Sequence, residues 1–345
     1  MPTRPYLRIA TEEAFATKEM YRLYQREIDR NPPDEPGFMR LWGFFMVSKD
    51  PYPLNVRERL LDLGERRIHD MDETGIDRQV IFLTAPGVQI FDAATANALA
   101  VSTNDELDAA CRKYPDRFTP LCAVAPQDPE TAARELERCV KQLGMKGLVI
   151  NSHTRGEYLD DPKFWEIFEA AEALDVPVYI HPRTPSPAML KPMAEVGVEA
   201  AMFGFGVETG LHLLRLIISG VFDRFPRLRI VVGHLGEALP FWLYRIDHMH
   251  GAAVRSGRHP RIKPLQKKPS DYMRENVYIT TSGMPWAPAI KFTQDVIGMD
   301  RVMYAMDYPY QFVPAEVTMT DNVEISDADK KKLFQTNAEK VFNIG

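Results

Sequence analysis

The 345-residue length exceeds an ordinary small domain and suits one closed α/β barrel. With 45% hydrophobic and 26% charged residues, the chain can bury a large core, which excludes intrinsic disorder. A formal net charge of −6 at pH 7 excludes the basic surface on which nucleic-acid binding depends.

Short apolar runs recur along the chain, each followed by enough residues for a helix. Strands are predicted near 6–12, 78–84, 118–125, 147–152, 176–181, 229–234, 276–282 and 301–306. Runs such as 176–180 and 229–233 are apolar almost throughout, as a parallel sheet covered on both faces requires. Helices are predicted over 56–73, 97–113, 129–143, 162–174 and 326–342. This alternation predicts a single (β/α)₈ TIM-type barrel over 1–345, with an open doubly wound sheet as the alternative. Two segments interrupt it: a long inserted excursion at about 17–55 and a basic loop at about 250–270. Both are read as lids, pocket walls or subunit contacts.

The three cysteines, Cys111, Cys122 and Cys139, follow no metal-type spacing and predict free thiols in a reducing compartment. No apolar run approaches the roughly 18 residues of a membrane span, and the N-terminal segment has no signal-peptide core. A cytoplasmic protein without a membrane partner is expected.

Active-site residues of such barrels sit at the C-terminal ends of the strands. Those ends carry Glu12, Thr84, His153, His181, His234 with Glu237, and Asp307 with Tyr310. A lone histidine at a strand end is usually a hydrogen-bonded structural residue. Glu12, His181, His234 and Asp307 come from four different strands, however, and converge on one mouth. Carboxylate and imidazole are the usual ligands of a divalent ion, so a metal site is expected there. His69, His212, His248, His250 and His259 fall on predicted helices or loops and are read as structural or solvated.

Four strand-end segments, Thr11–Phe15, Tyr179–Pro182, Gly233–Glu237 and Met306–Pro309, resemble the amidohydrolase-superfamily decarboxylases. That group includes the γ-resorcylate, 2,3-dihydroxybenzoate and aminocarboxymuconate-semialdehyde decarboxylases. Leu41–Phe44, Leu60–Arg67, Phe203–Gly210 and Met303–Gln311 extend the resemblance over nearly the whole chain, most of all toward the 5-carboxyvanillate branch. The resemblance implies metal ligation by Glu12, His181 and Asp307, in place of the His-x-His that many superfamily members carry on strand 1. Mn²⁺ is the expected ion, with Mg²⁺ and Zn²⁺ as alternatives, and no organic cofactor is needed. It further implies non-oxidative decarboxylation of an ortho-hydroxylated aromatic acid of the 5-carboxyvanillate, resorcylate or hydroxynaphthoate type. Asp307 would protonate the ipso carbon, with His234 and Glu237 positioning or recycling the proton. Arg245 and Tyr310 match substrate-contacting positions, Arg245 across a subunit boundary of a homodimer or homotetramer. Thr84 and His153 are further candidates for the pocket wall.

One position departs from the pattern. Where the resembled enzymes place a substrate-binding arginine, this chain has Tyr52, a neutral group with a single hydroxyl. Arg57 or Arg59 could compensate from the following helix. Otherwise the substrate lacks a second carboxylate or is a larger hydroxyarenoate. The competing chemistry is that of a superfamily hydrolase or hydratase acting on a lactone or enol acid. A non-catalytic ligand-binding barrel is the reading from outside enzymology.

Overall fold

The computed structural model describes residues 4–32 and 34–345. Residues 1–3 of the N-terminal segment and Pro33 of the excursion, on which two expectations partly rested, lie outside the described residues.

The strands are β1 (Ile9–Phe15), β2 (Arg78–Leu83), β3 (Phe118–Pro120), β4 (Cys122–Ala123), β5 (Leu148–Asn151), β6 (Val178–His181), β7 (Ile230–Val232), β8 (Val277–Thr280) and β9 (Val302–Met303). β3 and β4 are two halves of one predicted strand, parted at Leu121. The Leu121 N–H donates to Ile81 O at 2.9 Å and keeps the ladder continuous. All neighbouring pairs run parallel. Thr11 N–H donates to Tyr304 O at 3.0 Å and joins the last strand to the first. The sheet is therefore a closed cylinder, and the open-sheet alternative falls.

A layer of side chains fills the cylinder. Ile9, Val80, Leu121, Val149, Tyr179, Val231, Tyr278 and Met303 form one buried cluster that takes residues from all around the barrel. Ala338, Val341 and Phe342 of the last helix belong to the same cluster. Outside the cylinder, longer helices such as Pro129–Leu143 and Gly204–Ile218 bury an apolar stripe against the strands. The helix Pro129–Leu143 shows the local code: Asp128 caps it through Thr131 N–H, proline stands in its first turn, and Gly144 ends it at φ 72°.

The excursion at 17–55 is not loop. It folds into the helices Lys18–Arg30 and Pro36–Val47 and the start of Pro51–Leu60. Pro36 and Pro51 open helices, where a missing N–H costs nothing, rather than breaking them. The predicted helix 56–73 is in turn two helices, Pro51–Leu60 and Glu65–Thr74, parted before Gly64 caps the second. The basic loop at 250–270 is also shorter than expected, because the helix Leu239–Ser256 runs into it. No described helix is long and apolar enough to cross a membrane. All three cysteines are free and buried.

Three contacts seat the excursion over the barrel. Trp42 Nε1 donates to Ala85 O at 2.9 Å, next to the end of β2. The backbone at Gly37 passes so close to Thr184 that any Cβ there would collide with it. Glu35, at the start of the same helix, forms a buried ion pair with Arg183, two residues beyond the end of β6.

Candidate active site at the barrel mouth

Glu12 lies near the middle of β1 with its side chain almost fully buried. Tyr179, part of the barrel-filling layer, donates its hydroxyl to Glu12 Oε2, and Thr280 Oγ1 donates to the same oxygen at 2.8 Å. These two bonds aim the other oxygen, Oε1, at the mouth. There it has no hydrogen-bond partner, with His181 Nε2 at 3.5 Å and His234 Nε2 at 3.6 Å. A buried carboxylate oxygen left between two imidazoles is what a cation site looks like from its ligands. Gly233 makes the room, since a Cβ there would run into the Glu12 carboxylate.

Asp307 follows β9 in the left-handed region at φ 72°, a costly place for a residue with a side chain. Its neighbours hold it there. The Glu13 carboxylate accepts the N–H groups of Met306 and Tyr308, each at 3.0 Å. Sequence reasoning passed over Glu13, although a second carboxylate inside an apolar strand needed a partner. Burial lifts the Asp307 carboxyl to about 8 against the pull of His234, with the Glu12 and Glu237 charges adding to the rise.

The five residues His234–Ala238 all have positive φ, between 49° and 78°. This tight turn brings His234 Nδ1 within 2.8 Å of Glu237 Oε1. Gly206, in the first turn of the helix Gly204–Ile218, leaves space for Glu237, whose Oε2 a Cβ would meet at 2.9 Å. Burial disfavours the imidazolium of His234, but the Glu237 and Glu12 carboxylates outweigh it and lift the group to about 10. His181 differs: burial dominates and pulls it down to about 4. Glu12, His234 and Asp307 present ligand atoms within 4.8 Å of one another, and His181 joins them through Glu12.

On the side of the excursion, Tyr310 and Thr84 meet hydroxyl to hydroxyl at 2.6 Å. Tyr52 donates to Tyr310 O at 3.0 Å and stacks edge-on against Phe45. Burial and the nearby Asp307 charge both raise its phenol. Neither expected substitute for an arginine is available. Arg57 donates to the carbonyls of Met46 and Ser48, and Arg59 pairs with Asp70 at 2.8 Å. His153 turns both ring nitrogens to the backbone and is absent from the cavity lining: its Nε2 meets Thr184 O and its Nδ1 accepts from Gly156 N–H, both at 3.1 Å. Both ring nitrogens serve the backbone, so the ring has none left for a ligand. Arg245 stands exposed on the helix Leu239–Ser256 and is absent from the lining of the cavity. That cavity, about 650 Å³, opens onto His234, Glu237 and Asp307.

His212 is buried as a structural residue, its Nε2 accepting from Leu159 N–H at 3.1 Å and its Nδ1 lying 3.2 Å from Ser152 Oγ.

Comparison with known proteins agrees with this geometry. Residues 52–344 match the family model described as Amidohydrolase. A γ-resorcylate decarboxylase of Polaromonas sp. is 37% identical over 98% of both chains. The crystal structure of 5-carboxyvanillate decarboxylase from Novosphingobium aromaticivorans, holding manganese and 4-hydroxy-3-methoxy-5-nitrobenzoic acid, is 56% identical. It covers 99% of this chain and 97% of its own, with a TM-score of 0.97. A dihydroxybenzoic acid decarboxylase from Polaromonas, with manganese and 2-nitroresorcinol, is 37% identical at a TM-score of 0.86, covering 98% of this chain and 97% of its own. The chain belongs to the amidohydrolase family and folds as the TIM-barrel decarboxylases of that family do.

Proposed function

We propose that the protein is a divalent-metal-dependent decarboxylase of ortho-hydroxylated aromatic acids. The observation that carries this reading is the unpartnered, buried Glu12 Oε1 facing His181, with the carboxyl of Asp307 within ligand reach beside it. Glu12, His181 and Asp307 would hold the ion. Two carboxylates and one imidazole suit Mn²⁺, the ion bound in the related crystal structures. When bound, the ion supplies a positive centre that chelates the carboxylate and the adjacent phenolate of the substrate.

The chain's own groups then handle the proton. Asp307 donates its proton to the ring carbon that bears the carboxylate, which avoids an unstabilised aryl carbanion. The carbon–carbon bond to the carboxylate breaks, its electron pair restores the aromatic ring, and CO₂ departs. Asp307 is left as a carboxylate and takes one proton from solvent, with His234, oriented by Glu237, as the neighbouring relay. Tyr310, fixed by Thr84 and Tyr52, borders the ring on the excursion side.

The reading extends to assembly. The helix Leu239–Ser256 exposes Phe241 (72%), Trp242 (49%) and Tyr244 (87%) beside Arg245, an apolar face that a homodimer or homotetramer would cover. A second copy there would bring its Arg245 toward this mouth. The 345 residues are read as one barrel with the 17–55 segment as its insertion, in the cytoplasm.

The test is turnover in D₂O of Mn²⁺-loaded protein with 2,6-dihydroxybenzoate, 5-carboxyvanillate and 1-hydroxy-2-naphthoate. CO₂ release with one deuterium at the former carboxyl position is expected for at least one acid. Hydration or ring opening without CO₂ would replace this reading with the hydrolase or hydratase chemistry.

A further inference from the structure

Positive charge around the mouth can be followed group by group. Arg57 is held by two carbonyls and Arg59 by Asp70. Arg183 pairs with Glu35, Arg40 with Glu199 and Arg155 with Asp34. Among the described residues, no lysine or arginine lines the cavity that opens onto His234 and Asp307. Its outer wall is instead Met202, Phe203, Val207, Leu211, Trp242 and Met284. At about 650 Å³ it is well above what one benzene ring fills and inside the range of about 300–1,000 Å³ for ligand pockets.

The two ends of the cavity thus ask for different chemistry. The inner end, with His234 and Asp307 of the proposed metal site, takes an anion. At the outer end, where Met202, Phe203 and Trp242 are about half-exposed or more, a second carboxylate would stay hydrated and gain no charged partner from this chain. Apolar surface there would instead be buried with gain.

We infer that the site selects an aromatic 2-hydroxy acid with a single carboxylate and an uncharged, apolar extension, such as a fused second ring, over a ring bearing two carboxylates. The inference rests on the decarboxylase reading for the identity of the anionic end. Arg245 is the one nearby cation to weigh against it. It lies outside the cavity and reaches a bound ligand only from a second copy.

Unreactive nitro compounds, in which the nitro group stands for the departing carboxylate, separate binding from turnover. Dissociation constants of 2-nitro-1-naphthol and 4-hydroxy-3-methoxy-5-nitrobenzoic acid would be measured by calorimetry on the Mn²⁺-loaded protein. The naphthol is expected to bind at least about tenfold more tightly. Trp242→Ala should weaken the naphthol and leave the nitrobenzoic acid nearly unchanged. Equal or tighter binding of the nitrobenzoic acid overturns the inference. So does a selective loss of that acid in Arg245→Ala, which would show a partner's arginine reading a second carboxylate. If the naphthol binds as expected while no acid of the turnover panel releases CO₂, the pocket's selectivity stands and the decarboxylase reading fails.

Discussion

The Glu13 carboxylate accepts the backbone N–H groups on both sides of Asp307, from Met306 and Tyr308, each at 3.0 Å. Neighbouring strand residues therefore divide the work: Glu12 faces the mouth and Glu13 fixes the loop that carries the proposed proton donor. Such supporting partners are typically worth about 10–100-fold in activity. Glu13→Ala is expected to lower kcat by about that factor while KM changes little. An unchanged kcat in a folded variant would remove Glu13 from the positioning of Asp307.

Ligand and relay roles separate by metal content. Chelation should abolish CO₂ release and Mn²⁺ should restore it. Glu12→Gln is expected to lose both bound Mn²⁺ and activity, because Glu12 Oε1, buried and without a hydrogen-bond partner, becomes a weaker donor. His234→Asn is expected to keep Mn²⁺ and lose activity. Metal analysis of the purified variants, read beside turnover, decides the matter. Loss of Mn²⁺ from His234→Asn would make His234 a ligand.

Gly233 is expected to resist any substitution. Its Cβ would overlap the Glu12 carboxylate, so Gly233→Ala should displace that side chain and weaken Mn²⁺ binding even though its φ of −78° suits alanine. A Mn²⁺ titration followed by electron paramagnetic resonance reads this directly. Parent-like affinity would show that Glu12 can move aside.

The Glu35–Arg183 pair is expected to matter for stability through its removal rather than its presence. Arg183→Met leaves a buried carboxylate unpaired and should cost about 3–5 kcal/mol, measured by denaturant unfolding. The double variant Glu35→Gln with Arg183→Met should recover much of that loss. No recovery would mean that Arg183 acts mainly through its bond to His153 O at 3.1 Å.

Acid sensitivity is expected from His212. Burial holds its imidazole down at about 3 in the folded protein, whereas the unfolded chain binds that proton near 6.5. Between those values the unfolded state binds more protons, so this group's contribution is complete above about 6.5 and is lost as pH falls toward 3. Each pH unit in that window removes at most about 1.4 kcal/mol. His212→Asn should therefore show a shallower fall of Tm between pH 6.5 and 4 than the parent. An identical slope in both would place the acid sensitivity elsewhere.

Much of this architecture was legible because apolar strands and their polar last residues leave a direct trace in sequence. His181, His234 and Asp307 could be picked out that way before any coordinates, as could Glu12, although it stands in the middle of β1 and not at the end predicted for that strand. Partnership leaves no such trace. Arg57 and Arg59 looked available as counter-charges, yet one caps a helix end and the other belongs to Asp70. His153 looked like a pocket group because it ends a strand, but its two nitrogens are occupied by backbone. The 17–55 segment looked like loop because its prolines mark helix starts and breaks alike, and only packing of Phe38, Trp42 and Phe45 decides between them.

The run of positive φ from His234 to Ala238 has a consequence for transplanting this chemistry. A mirror-image turn presents the side chains of residues three apart along a path that no ordinary helix reproduces. Copying His-x-x-Glu onto a right-handed scaffold would therefore set the two groups in a different mutual orientation. The graft would need the backbone as well, including Gly236, where a Cβ would come 2.7 Å from Ile279 Cδ1. The dyad is encoded in chirality and clearance as much as in its two functional side chains.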